Sequence, residues 1–142
     1  MKKLLHVMFV IALLAACATP YKQAKKEKAN GYFDVKLQEG MYEVLFNGNE
    51  NTSARKAHDF ALLRAAEVCL ENGYQSFVIE RKTEDFTEKE VDTGIKIFGG
   101  TLTSLENSEP KITLVIRCSK KLDLQYKAQE LKDNLRARYK IK

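Results

Sequence analysis

TSARKAHDFALLRAAEVCLENG, residues 52–73, is the stretch whose reading decides the fold. Thr52 or Ser53 can cap a helix, because a hydroxyl oxygen accepts one of the free amides of the first turn. Ala54, Ala57, Ala61, Ala65 and Val68 then recur at helical spacing, joined on the same side by Leu62 and Cys69. Lys56, Asp59, Glu67 and Glu71 fall opposite them and read as the solvent face. Asn72-Gly73 is a stop, since glycine enters the left-handed region without a steric penalty. A stripe of alanines lets such a helix approach a sheet closely, so sheet material should flank it on both sides.

Upstream, Phe33, Val35 and Leu37 alternate with Asp34, Lys36 and Gln38, the period of a half-buried strand. Glu39-Gly40 supplies a turn, and Tyr42, Val44 and Phe46 alternate on a second strand, which predicts a hairpin. Downstream, residues 74–81 read as a strand with Phe77 and Ile79 on one face. Residues 111–118 read as another, with Ile112, Leu114, Ile116 and Cys118 aligned. The intervening segment 82–110 is polar and reads as a mobile loop containing a small hairpin, 95–98 and 101–105, turned at Gly99-Gly100. Leu124, Ala128, Leu131 and Leu135 mark a C-terminal amphipathic helix to about Arg138, with its basic end at the negative pole of the helix dipole. The expected fold is a single small α+β domain over residues 32–142. It has a mainly antiparallel sheet of about four strands, one long alanine-rich helix packed on it and a C-terminal helix, in the order β-β-α-β-(hairpin)-β-α.

The first 31 residues follow a different grammar. Lys2 and Lys3 precede a run from Leu4 to Ala16 that is apolar except for His6, and small residues stand before Cys17. That is the layout of a secretory signal peptide over residues 1–16; a spanning helix needs about 20 apolar residues and this run is shorter. Residues 17–31 are polar, contain Pro20 and Gly31 and show no period, so they read as a basic, flexible tether to which Lys22, Lys25, Lys26 and Lys28 give its charge. Removing residues 1–16 lowers the formal charge from +5 to +3. Such an excess does not argue for nucleic acid. A length of 142 residues leaves room for one domain, and 44% hydrophobic with 30% charged residues is the composition of an ordinary globular chain.

Leu14-Ala15-Ala16-Cys17 resembles the lipobox of bacterial lipoproteins, in which the cysteine carries covalent lipid after cleavage. Ala18 in the next position implies, by the same resemblance, sorting to the outer membrane. The mature part is similar to a family of small Gram-negative outer-membrane lipoproteins of unestablished function. The residues that carry this are Phe46, Gly48-Asn49, Thr52-Ser53, Leu62-Leu63-Arg64, Ala66-Glu67 and Gly73-Tyr74, with Thr19-Pro20-Tyr21 and Tyr126-x-Ala128-x-x-Leu131 in support. Glu50-Asn51 departs from a glycine or aromatic that many members place there. The resemblance implies location and fold, not an activity. In element order alone the chain also resembles lipid-anchored envelope-stress sensors, a likeness of fold only.

With Cys17 assigned to lipid, Cys69 and Cys118 remain as an even pair on two apolar faces. They are a candidate disulfide closing 49 residues, or alternatively two buried thiols. No catalytic set emerges. His58 and Cys69 are eleven positions apart on one helix, about 16 Å along its axis, too far for a nucleophile and its base. One histidine and no clustered cysteines disfavour a zinc site. Gly94 to Thr101 lacks the lysine of a phosphate loop, and Asp85, Glu88, Glu90 and Asp92 lack the spacing of a calcium loop. Arg64 and Glu67, at i and i+3, can pair on the helix surface for a few tenths of a kcal/mol. Ile95, Ile97, Phe98 and Leu102 are apolar residues on an excursion, which either mark a contact surface or extend the core. The expectation is a lipid-anchored, non-enzymatic envelope module without cofactor or metal, its domain facing the periplasm. It would be held to the membrane through Cys17 and bind an envelope protein partner. The alternative is a small-ligand binder or enzyme with 82–110 as a lid.

Overall fold

The computed structural model describes residues 17–87, 90–97, 100–105 and 109–142, and over 87–105 the backbone alone. The elements are β1 (Gly31–Gln38), β2 (Met41–Asn47), α1 (Ala54–Glu71), β3 (Ser76–Thr87), β4 (Glu90–Ile97), β5 (Gly100–Leu105), β6 (Glu109–Ser119), β7 (Tyr126–Lys127) and α2 (Ala128–Tyr139). Five strands form one sheet in the order β1-β2-β6-β3-β7, every neighbouring pair antiparallel. β4 and β5 pair with each other in a separate ladder, the expected small hairpin. The α+β domain is therefore present. Its sheet has a fifth strand because Tyr126–Lys127, too short to show a period, adds an edge beside Ser76 and Phe77.

The core lies between the sheet and α1. Tyr42, Val44 and Phe46 of β2, Phe77 of β3, and Ile112, Leu114 and Ile116 of β6 are buried against Ala57, Ala61, Ala65, Val68 and Cys69 of α1. Small side chains along α1 leave room for Phe46 and Phe77, both among the largest fully buried groups. Ser53 caps the helix, its Oγ accepting from Lys56 N at 3.2 Å. Gly73 ends it at φ +79°, a conformation that favours glycine. Cys69 and Cys118 form a disulfide between α1 and β6, with Cα atoms 6.1 Å apart.

Three expectations change. On β1 the apolar residues do not face the helix. Tyr32, Asp34 and Lys36 pair with Phe46, Val44 and Tyr42 and so share the helix side, which turns Phe33, Val35 and Leu37 to the outer face. Val35 and Leu37 are 42% and 48% exposed there. The cause is charge pairing, since Asp34 is the partner of Arg64 on α1. Next, 82–110 is not a loop at its two ends. The β3–β6 ladder continues through Lys82 opposite Leu114, Glu84 opposite Ile112 and Phe86 opposite Pro110, reaching Thr87 opposite Glu109. A register shift between Ile79 and Arg81 breaks the alternation, and Arg81 to Phe86 are exposed on both faces, so no period reveals this half of the strand. Finally, Asp59 and Glu67 are buried although they lie opposite the alanine stripe, because α2 and the N-terminal segment cover that side.

Closing 49 residues of chain restricts the unfolded state by about 4 kcal/mol in the chain-entropy model. Denaturant unfolding of the domain with and without reductant should differ by up to that amount. Equal midpoints would mean that the bond contributes nothing.

Candidate functional site

Gly48 sits where no side chain fits: a Cβ would stand 2.7 Å from Thr52 Cβ and 2.9 Å from Pro110 Cγ. This approach places Asn49 at the head of α1, where its amide group binds residues 17–19. Asn49 Oδ1 accepts from Thr52 Oγ1 at 2.8 Å and from Thr19 N at 3.2 Å. Thr19 N also reaches Thr52 Oγ1 at 2.9 Å, and Thr19 Oγ1 accepts from Asn49 N at 2.8 Å. Asn49 Nδ2 donates to the carbonyl of Cys17 at 2.8 Å. Thr19 is 2% exposed, whereas Cys17 is exposed and its thiol free. A buried backbone amide needs a partner, and this cluster supplies partners on both sides of Thr19.

Beyond Thr19 the segment stays on the domain. Tyr32 N donates to Lys22 O and Ala24 N to Tyr32 O, both at 2.8 Å, and Gln23 bridges Tyr32 in parallel. Gly31 allows the close passage, since a Cβ there would stand 2.4 Å from Lys22 O and its φ is +123°. Asn47 Nδ2 donates to Glu27 O at 2.6 Å and Ala29 O at 3.2 Å. Residues 17–31 are therefore a strap fastened to the sheet edge rather than a flexible tether. Polar composition hid this, because the fastening is done by backbone groups and by side chains elsewhere in the chain.

The strap's one large anchor is Tyr21. Its ring packs on Tyr32 and Phe60, at 4.7 and 5.4 Å between centroids, and its hydroxyl donates to Glu67 Oε2. Burial first, and then the Glu67 carboxylate, hold the Tyr21 hydroxyl far above the usual phenol range. Glu67 Oε1 in turn accepts from Arg136 Nη2 at 2.6 Å and Nε at 3.2 Å. Arg64 lies over the Tyr32 ring and binds Asp34 at 2.7 Å and Glu71 at 2.8 Å. Burial opposes its charge, but the hydrogen bonds to Asp34 and Glu71 outweigh that and raise its pKa. The expected surface pair of Arg64 with Glu67 is only a 3.5 Å contact, and both residues work chiefly through other partners. Asp59 makes a parallel joint, accepting from Arg138 Nη1 at 2.9 Å and Tyr139 Oη at 2.7 Å.

Many of the residues singled out in the sequence thus fall into two clusters along the strap, one at the head of α1 and one around Glu67. Phe46 is core, 5.2 Å from the Phe60 ring. Gly48, Asn49 and Thr52 hold the residues after Cys17, Ser53 caps α1, and Arg64 and Glu67 hold β1 and Tyr21. Gly73 and Tyr74 lie at the other end of α1, where Tyr74 Oη donates to Glu39 Oε1 at 2.6 Å. Ile95, Ile97 and Leu102 fall on β4 and β5, where only the backbone is described, and Phe98 lies outside the described residues. Residues 1–16 and Glu88 also lie outside them. Cys69 is bonded to Cys118, and His58 is partly buried on α1 with its pKa lowered by burial and then by Lys82. Among the described residues, no three His, Cys, Asp or Glu side chains stand where they could hold a metal ion. No family model, curated protein or solved structure matches the chain.

Removing Glu67 leaves Arg136 and Tyr21 without their shared partner. Glu67→Ala should cost about 2–4 kcal/mol in denaturant unfolding, at the lower side of a broken buried pair because Arg136 is partly solvated. A cost below 0.5 kcal/mol, the scale of an ordinary surface change, would show that the joint contributes little. The folded chain keeps the Tyr21 proton more tightly than the unfolded chain does, so Tyr21 stabilises fully below a phenol's ordinary pKa, about 10. That contribution is lost as pH rises above it. Tyr21→Phe should therefore flatten the alkaline loss of stability, and an unchanged slope would exclude this source.

Proposed function

We propose that the chain is a lipid-anchored lipoprotein of the cell envelope, acylated on Cys17 and held at the outer membrane with its domain on the periplasmic side. Its domain acts as a non-catalytic structural, assembly or signalling module toward an envelope protein. The observation that carries this reading is the division of the three cysteines. Two are joined in the core, and the third stays exposed and free directly after an apolar run with a lipobox. A disulfide in a small domain favours an oxidising, exported setting. The free thiol lies two residues before Thr19, which the domain grips by backbone and side chain. The resemblance to small outer-membrane lipoproteins points the same way.

Nothing in the gripping cluster is arranged as a nucleophile with its base, and the described bases of the 82–110 segment are ladder strands rather than hinges. These features support a module over an enzyme with a lid.

Mass spectrometry of the mature product is the test. The expected first residue is an acyl-modified Cys17, and Cys17→Ser should yield a chain that is neither acylated nor cut after residue 16. A mature product with an unmodified Cys17, or with residues 1–16 retained, would overturn the reading.

A further inference from the structure

From the position of the strap, and resting on the acylation of Cys17, we infer that the domain is held in one orientation, with the Gly48–Ser53 end of the sheet and exposed Phe86 against the lipid bilayer. The contact surface is thus built into the fold and takes the headgroup–acyl boundary of the anchoring membrane as its partner.

Chain length makes the geometric argument. Thr19 is buried, and the two residues from Cys17 to Thr19 span at most about 7 Å. The Cys17 carbonyl is itself held by Asn49. Acyl chains on Cys17 therefore leave the protein within a residue or two of Asn49, and the bilayer surface cannot stand away from that end. The same end collects the C-terminus of β2, the start of α1, the end of β3 and the start of β6, since Gly48 N donates to Pro110 O at 2.8 Å and Phe86 pairs with Pro110.

What this end displays suits a membrane interface. Phe86 is 45% exposed and lines a shallow groove with Thr52, Ser53 and Pro110. Lys28 and Lys111 line a second groove with Asn47 and Gly48, where ammonium groups can meet headgroup phosphates. Glu50 and Glu109 share these rims, so net charge alone does not set the orientation. The fastened strap does. At the far end of the sheet, Leu122 is 60% exposed, so it offers an exposed apolar side chain away from Cys17. It lies three residues past the end of β6, whose run from Pro110 to Ser119 measures about 30 Å.

The chain contains no tryptophan, so a single introduced one reports without background. Phe86→Trp and Leu122→Trp, each in the intact acylated protein, are placed in phospholipid vesicles whose acyl chains carry bromine as a quencher. Quenching is expected to be several-fold stronger at 86 than at 122, with a blue-shifted emission at 86 only. Adding Asn49→Ala, which releases the Cys17 carbonyl and one partner of Thr19 N while Thr52 Oγ1 and the amide of residue 49 still hold Thr19, should shrink that difference in part while the lipid stays attached. Equal quenching at both positions on a chain whose Cys17 is acylated overturns the orientation and leaves the lipoprotein reading intact. A product without acyl-Cys17 removes both. If Asn49→Ala abolishes cooperative unfolding, the contrast between 86 and 122 in the fastened protein decides alone.

Discussion

Helix α1 is covered on two sides, and this constraint shapes the rest of the molecule. Its alanine face lies on the sheet, and its other side lies under the strap and α2. Charged groups on that second side are removed from water, where an unpaired carboxylate costs several kcal/mol. Asp59 and Glu67 therefore need donors, and the donors come from both ends of the chain: Tyr21 from the strap, and Arg136, Arg138 and Tyr139 from α2. Loss of either end removes a donor from one of these acids together with the cover that keeps water from it. One helix thus ties together residues 17–31 and the C-terminal helix.

Several residues of the resembled motif, though not Gly73 and Tyr74, acquire a common physical task on this frame. Gly48 allows close approach, Asn49 and Thr52 receive Thr19, Glu67 receives Tyr21, and Arg64 holds Asp34 and covers Tyr32, the residue on which the strap forms its bridge. Phe46 carries the inner wall, since Phe60 packs against it on one edge and against Tyr21 on another. A cluster of polar residues around a turn and a helix start invites the idea of a ligand site. Here the ligand is a segment of the same chain, Cys17 to Tyr21.

Element types were legible in the sequence wherever burial is one-sided. The first half of β2 and most of β6 alternate because one face meets the core, and the alanine stripe of α1 marks the side of that helix that lies on the sheet. Legibility failed where pairing, rather than apolar burial, decides the side. Phe33, Val35 and Leu37 form a better apolar stripe than Tyr32, Asp34 and Lys36, yet the ion pair between Asp34 and Arg64 and the cover over Tyr32 turn the strand around. Period analysis weighs hydrophobicity and has no entry for a guanidinium 30 residues away. The strap failed for a related reason. Its fastenings are backbone amides and the side chains of Asn47, Asn49 and Thr52, and none of these gives residues 17–31 a pattern of their own. The two buried acids of α1, Asp59 and Glu67, share their helix with Arg55, Lys56, Arg64 and Glu71 and so read as part of a solvated face. Their partners lie 46 to 80 positions away and no local rule reaches them.

A fastened strap and a free tether differ in what they cost. Ordering a residue's backbone costs about 1–2 kcal/mol, so fixing some fifteen residues forgoes a large entropy that a flexible linker would keep. The burial of Thr19, Tyr21 and Ala24 and the hydrogen bonds of Asn47 and Asn49 offset that loss only because the domain carries side chains placed for the purpose. A tether of the same length would range over about 20 Å and let the domain tumble above a membrane. The strap removes that range and substitutes a defined joint at the head of α1. Under the proposed acylation of Cys17, the physical consequence is control of pose: the same contacts that stabilise the fold would set which end of it meets the bilayer and which end is offered to the aqueous side.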